Sequence, residues 1–133
     1  MTTVYNVKDV NVVIDGITVT GFAEDSIVSC SKTSDNINPY VGAQGETAFS
    51  INNDPTGTIS ITLQQQSPMN DTLLNYSNEN KVFPISVIDL NTGGFRASGN
   101  EAIIQTNPEY SRGNSIGDLT WEILVFDYTN VPS

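Results

Sequence analysis

Few residues in this chain of 133 can do acid, base, metal or nucleophile chemistry, and His is missing altogether. Ser-His and Cys-His nucleophile pairs and His-ligated metal sites are therefore excluded. The single Cys, Cys30, excludes an intrachain disulfide and a CxxC metal knuckle. With no catalytic partner available, Cys30 reads as a small core residue. Acids remain. Glu24 and Asp25 are adjacent, but glycoside hydrolysis needs two carboxylates held across a cleft, and nothing in the sequence sets a second acid opposite them. Asp89-Leu90-Asn91-Thr92-Gly93 opens like a calcium loop. Such a loop needs an oxygen ligand at its fifth position and Glu at its twelfth, where Gly93 and Asn100 stand. Gly42-Ala43-Gln44-Gly45-Glu46-Thr47 has two glycines but no Lys, and Glu46 would repel phosphate. No catalytic residue, no metal site and no cofactor is expected, and the chain is not read as an enzyme.

What the charges say is where the chain cannot stick. Five Lys/Arg against fifteen Asp/Glu give a net charge of −10. A basic nucleic-acid binder, which neutralises phosphates with a Lys/Arg face, is excluded. No stretch approaches the run of about 20 apolar residues that spans a bilayer, so no membrane anchor is expected. The start, Met1-Thr2-Thr3-Val4-Tyr5-Asn6-Val7-Lys8-Asp9, lacks the basic-then-apolar order of a secretory signal. One domain over residues 1–133 is expected, made in a reducing compartment. The polar remainder is mostly Ser, Thr, Asn and Gln, which suits strands and turns better than solvated helices.

The elements follow from periodicity. Asp15-Gly16 between two β-branched runs predicts a hairpin with a type I′ turn. Ser26 to Ser31 predicts a strand with Val28 and Cys30 on one face. In Gly57-Thr58-Ile59-Ser60-Ile61-Thr62-Leu63-Gln64 the alternation is unbroken, with Ile59, Ile61 and Leu63 inward. Further strands are expected at Ala48 to Ile51, Val82 to Asp89, Phe95 to Ala97, Glu101 to Thr106 and Leu119 to Phe126, with Tyr110 to Gly117 a polar excursion. Ser67-Pro68-Met69-Asn70-Asp71 predicts a helix start with Ser67 as cap. Met69, Leu73 and Tyr76 recur on one stripe that lids a sheet opening. Trp121, Ile59, Ile61, Leu63 and Leu73 are the expected core anchors. The sum is a mainly β fold, a β-sandwich or partly closed barrel with one packed α-helix.

Ser34 to Gly45 breaks the pattern. Asn36, Asn38, Pro39, Gly42 and Gly45 are turn formers, yet Ile37, Tyr40 and Val41 lie among them. Exposed apolar residues gain little unless they dock on something, so a docking loop is expected here, with Phe49 adjoining it.

The order of these segments resembles the tail tube proteins of contractile-tailed phages. The likeness runs from the opening hairpin and Gly21-Phe22-Ala23-Glu24-Asp25-Ser26 through Gly42-Ala43-Gln44-Gly45-Glu46 and Asn52-Asn53-Asp54. It continues over Gly57 to Leu73, Phe83-Pro84-Ile85-Ser86-Val87-Ile88-Asp89-Leu90, Glu101-Ala102-Ile103-Ile104-Gln105 and Leu119-Thr120-Trp121-Glu122-Ile123. Its weight lies in colinearity across most of the chain. The resemblance implies hexameric rings whose inner sheets join into one barrel, stacked into an inner tail tube through which phage DNA passes without specific binding. It implies a virion protein synthesised in the bacterial host cytoplasm, with sheath, baseplate hub and tail terminator as partners. On that reading Ile37, Asn38, Pro39, Tyr40, Val41 and Phe49 grip a neighbouring subunit or ring, and Glu24 and Asp25 are candidate acids facing the lumen. The alternative is a β-sandwich binding or adhesion module of a baseplate or fibre, presenting Tyr5, Tyr110 or Tyr128.

Overall fold

The computed structural model describes residues 10–22, 28–91, 93–109 and 117–132. Ten strands and one helix follow in order: β1 (Val10–Ile14), β2 (Ile17–Thr18), β3 (Val28–Lys32), β4 (Ile37–Val41), β5 (Thr47–Ile51), β6 (Gly57–Gln64), α1 (Met69–Glu79), β7 (Phe83–Asp89), β8 (Phe95–Thr106), β9 (Asp118–Val125) and β10 (Thr129–Pro132). Eight strands form one antiparallel sheet in the order β2-β1-β7-β8-β9-β6-β3, with β10 also on β8. The remaining two, β4 and β5, pair only with each other. The architecture is mainly β with one packed helix, and the sheet does not close: β2 and β3 stand at the two ends of its strand order.

The central strands β6, β7 and β9 alternate between buried and outward residues. Ile59, Ile61 and Leu63 of β6 are buried beside Ile123 and Trp121 of β9, while Thr58, Ser60 and Thr62 turn away. Val12 and Ile14 from one end of the sheet and the half-buried Val28 and Cys30 from the other pack on one core, so the sheet curls around its own apolar face. Burial pushes the Cys30 thiol up to about 11, which leaves it protonated and inert at neutral pH. The Asp15-Gly16 turn has φ values of 52° and 79°, the positive angles of a type I′ hairpin.

Helix α1 lids the core with Met69 and Leu73, and Tyr76 packs at its rim. Its Asn70 is buried and couples lid to sheet. The side-chain oxygen accepts from Trp121 Nε1 at 3.0 Å and the amide donates to the Gln64 carbonyl at 2.9 Å. Ser67 accepts from the Met69 amide at 3.3 Å while donating to the Thr20 carbonyl at 2.6 Å; Pro68 stands at the cap position itself. Asn80, at φ 51°, ends the helix in the left-handed conformation. At that end Lys81 Nζ meets Asp15 Oδ2 at 2.9 Å and Tyr76 OH donates to the same oxygen at 3.0 Å. Lys81, with Tyr76 second, therefore holds the Asp15 carboxyl below its ordinary range.

Of the strand expected over Ser26 to Ser31, Val28 onward lies on β3, and Ser26 and Ile27 lie outside the described residues. Three expectations change. Ser34 to Gly45 is no open loop: most of it is the strand β4 and the turn after it. Phe95–Ala97 and Glu101–Thr106 are one continuous strand, and β10 follows the strand expected to be last. The last two share a cause. β9 and β10 lie along the same side of β8, on its second and first halves. Where the chain turns between them, the Asp127 carboxylate accepts the amides of Asn100 and Glu101, both at 3.0 Å. A side chain thus fills the gap that two separate strands would leave. Gly99 is needed beside it, since a Cβ there would lie 2.2 Å from Val125 Cγ1.

The Asn100 and Glu101 amides hold the Asp127 carboxyl below its ordinary range. A depressed folded-state value adds stability above the unfolded pKa, near 4, that is lost as pH falls through the folded value. Asp127→Asn is expected to cost about 1 kcal/mol at pH 7, kept small by solvent screening. The gap between wild type and variant should shrink below pH 4 in thermal melts.

Candidate assembly surface

Among the described residues, the β4–β5 hairpin pairs with no strand of the large sheet. All ten of its residues are exposed. The register pairs Ile37 with Ile51, Pro39 with Phe49 and Val41 with Thr47. Those residues share one face by strand alternation, and Asn38, Tyr40, Ala48 and Ser50 share the other. The first face is almost wholly apolar, with exposure from 42% at Ile37 to 69% at Ile51. Pro39 has no amide to donate, which a ribbon with a free side on each strand tolerates. A lone two-stranded ribbon is marginal in water.

The ribbon is nevertheless well anchored at both ends. At its tip the Gly42 amide donates to the Glu46 carbonyl at 2.7 Å, and Gly45 takes φ +90°. At its base Asn52 N donates to the Asn36 carbonyl at 2.8 Å. Asp54 is the hub beneath: its carboxylate accepts from Ser34 Oγ at 2.9 Å, Thr56 Oγ1 at 2.7 Å and Thr56 N at 3.0 Å. These bonds, Thr56 first, keep the Asp54 carboxyl below its ordinary range. Both legs of the hairpin are thereby tied to the start of β6, and an apolar arm is held out from the body.

Of the expected docking residues, Ile37, Asn38, Pro39, Tyr40 and Val41 all lie on β4 and Phe49 lies opposite on β5. Ile51, which the sequence reading left out, is the most exposed apolar residue of the arm. Its signal was the alternation of Thr47, Phe49 and Ile51. Glu24 and Asp25, the candidate lumen acids, lie outside the described residues, as do Tyr5 and Tyr110. Tyr128 is buried, so it presents no ring to a ligand. Trp121, Ile59, Ile61, Leu63 and Leu73 are buried in the core.

The outward face of β6 and β9 forms a second surface. Ser60 stands opposite Glu122, Thr62 opposite Thr120 and Gln64 opposite Asp118. It carries hydroxyls, an amide, two carboxylates and, opposite Thr58, Leu124, with no Lys or Arg from either strand. The Thr62 and Thr120 hydroxyls meet at 3.2 Å. The turn after β7 is an Asx turn, with Asp89 Oδ1 accepting from the Asn91 amide at 2.9 Å. No cluster of three metal-ligating side chains occurs among the described residues. A groove of about 610 Å³ beside α1 is lined by Ser67, Asn70, Asp71, Leu74, Glu109 and Trp121 among others, and its Ser67 hydroxyl is engaged by the Thr20 carbonyl and the Met69 amide.

No protein-family model matches the chain. Over 141 residues it is 30% identical to structural protein ORF10 of Pseudomonas phage KPP10, covering 96% of this chain and 81% of that protein. Its fold is similar to that of a chain in the sheath/tube terminator of the PVC extracellular contractile injection system in the extended state. The TM-score there is 0.66 at 12% identity, over 98% of both chains. A chain of the PVC sheath-tube complex gives a TM-score of 0.64 at 13% identity, over 96% of this chain and 91% of that one. At such identities the likeness is one of fold.

Asp54→Ala should loosen the arm without loosening the core. Amide exchange is expected to quicken over residues 37–51 and stay unchanged over β6 and β9. Uniform quickening would show that Asp54 serves the whole domain instead.

Proposed function

The chain belongs to the phage structural-protein family of ORF10 from Pseudomonas phage KPP10, and from that premise we propose that it builds the inner tube of a contractile tail. It is a structural virion protein and not an enzyme. In the proposed assembly identical copies form rings of six, the rings stack, and DNA passes down the bore. Sheath, baseplate hub and tail terminator proteins meet the tube along its length and at its ends.

The observation that carries this reading is the anchored apolar arm. Burying a large apolar side chain is worth about 2 kcal/mol; one face of the arm offers Val41, Phe49 and Ile51 together, and Tyr40 stands exposed on the other. A second copy or the next ring supplies the missing half of that core. Repetition of one heterologous contact generates closed rings and stacks. The bore needs the opposite property, a wall that polyanions slide past. The hydroxyl and carboxylate face of β6 and β9 suits it, because DNA binding is driven by cations that release condensed counterions. A ring of six would carry about −60 in all, six times the charge of one chain.

Tyr40→Asp and Phe49→Asp are expected to leave a folded monomer that forms neither rings nor tubes in negative-stain images, whereas the native chain forms tubes. Normal tubes from both variants would remove the arm from assembly. Native rings that never stack would replace the tube with a terminator. Lys at both Asp118 and Glu122 should leave tubes intact but let them retain DNA in low salt, with retention falling steeply as salt rises. Tubes that stay indifferent to DNA would take that face out of the bore.

A further inference from the structure

The turn that joins β1 to β2 is also a chemically labile bond. Asp15 is followed by Gly16, and no other Asp or Asn in the sequence precedes a Gly. In such a pair the glycine amide nitrogen can attack the aspartyl Cγ, because no side chain on the glycine hinders its approach. The N–Cγ bond forms and a Cγ–O bond breaks. The nitrogen gives up its proton and the departing oxygen leaves as water. The product is a five-membered succinimide. Water from solvent then opens that ring at either carbonyl. Opening at Cγ restores aspartate. Opening at the main-chain carbonyl leaves isoaspartate, in which the backbone runs through the side chain and is one carbon longer. The sequence of steps needs water alone as co-reactant and leaves the mass of the chain unchanged.

Burial does not protect this bond. A Cβ placed on Gly16 would meet no atom within 4 Å, and the Asp15 side chain is 33% exposed. What restrains it is bonding. Lys81 Nζ and Tyr76 OH both donate to Asp15 Oδ2, at 2.9 and 3.0 Å. The two donors are themselves held: the Tyr76 ring lies 5.3 Å from that of the buried Phe83, and the Lys81 ammonium sits 4.5 Å above the Tyr76 ring. Burial, with Asp15 second, pushes the Tyr76 phenol up, so it stays a donor at neutral pH. On the main chain, the Asp15 amide donates to the Pro84 carbonyl at 2.9 Å. Both ends of Asp15 are thus tied to the stretch from α1 into β7. A carboxyl drawn toward Lys81 and Tyr76 is not free to turn onto the Gly16 nitrogen. Lys81 first, then Tyr76, also keeps that carboxyl ionised, and an ionised carboxyl has no water to lose until it takes up a proton.

We propose that Asp15-Gly16 is a site of spontaneous isoaspartate formation in this protein, and that Lys81 and Tyr76 guard it by holding the carboxylate off the glycine nitrogen. Both are positioning residues, and the inference is independent of the tube reading. The consequence of losing the guard is local. A type I′ turn fits two residues between paired strands, so an added backbone carbon breaks the pairing of Ile14 with Ile17. It also draws the carboxylate away from Lys81, which unties the end of α1 from the β1–β2 hairpin.

The test is to age the full chain at neutral pH and physiological temperature. Isoaspartate is counted by isoaspartyl methyltransferase labelling and placed on the chain by fragment-ion mass spectrometry. Lys81→Met and Tyr76→Phe should each raise the rate at residue 15 about threefold, kept modest by solvent screening. Lys81→Arg, which keeps the charge and a donor, should stay near wild type. The native chain held unfolded in urea should react faster than any folded variant. Ile123→Val is the control for stability: it trims the core on β9, away from the turn, and should leave the rate unchanged. Tyr76→Phe removes a single oxygen, which covers a Lys81 variant that fails to fold. Equal rates in wild type and both guard variants overturn the guard. So do slower rates in the variants, which would make Lys81 and Tyr76 helpers of the departing oxygen, and so does an equal rise in Ile123→Val. Isoaspartate that never appears at residue 15, even in urea, overturns the site itself.

Discussion

One constraint governs this molecule: a single sheet must bury one face while its curl leaves the other face, its borders and a projecting ribbon without partners. The inward residues of six strands, from Val12 on β1 to Val125 on β9, make one core that α1 closes. That core stabilises the protomer. Apolar side chains stay exposed elsewhere too, among them Leu74 on α1, Val82, Leu90 and Val131, but Val41, Phe49 and Ile51 gather on one face of the β4–β5 arm. A monomeric protein of this size ordinarily breaks up such surfaces.

The arm and the borders are different kinds of unfinished structure. The arm lacks burial, since its backbone is already paired within the ribbon and it offers side chains. The borders lack backbone partners while their inward side chains are packed. A partner for the borders would act through directional hydrogen bonds, and one for the arm through non-directional apolar burial. The Asp54 hub matters because an arm hanging from a loose hinge would lose ordering entropy on docking. Three bonds at its base remove part of that cost beforehand.

The charge pattern completes the picture. Fifteen acids spread over a small domain would be only a solubility device if they were mixed with bases on every face. On the outward side of β6 and β9 the acids stand among Ser, Thr and Gln with no cation from either strand. Short hydroxyl side chains give a smooth wall with little rotamer entropy to lose. Such a face lacks the cations that neutralise phosphates, so it repels a polyanion and does not bind it.

The amino-acid sequence by itself determined the elements whose information is local. The alternation over Gly57–Gln64 set which side of β6 is buried, the Asp15-Gly16 pair set the first turn, and the Met69, Leu73, Tyr76 stripe set the face of α1. The absence of His, the lone Cys and the scarcity of Lys and Arg closed off whole classes of chemistry without any structure. Tertiary structure alone decided the rest, because it depends on partners far away in the chain. Across the break in its pairing, β8 is carried by Asp127, 26 residues beyond Glu101, whose carboxylate accepts the Asn100 and Glu101 amides. Ser34 to Gly45 looked like a loop because its turn formers hid a strand whose partner is Thr47–Ile51. The borders left open were invisible in sequence, since period-two alternation reports faces and says nothing of which strand lies alongside.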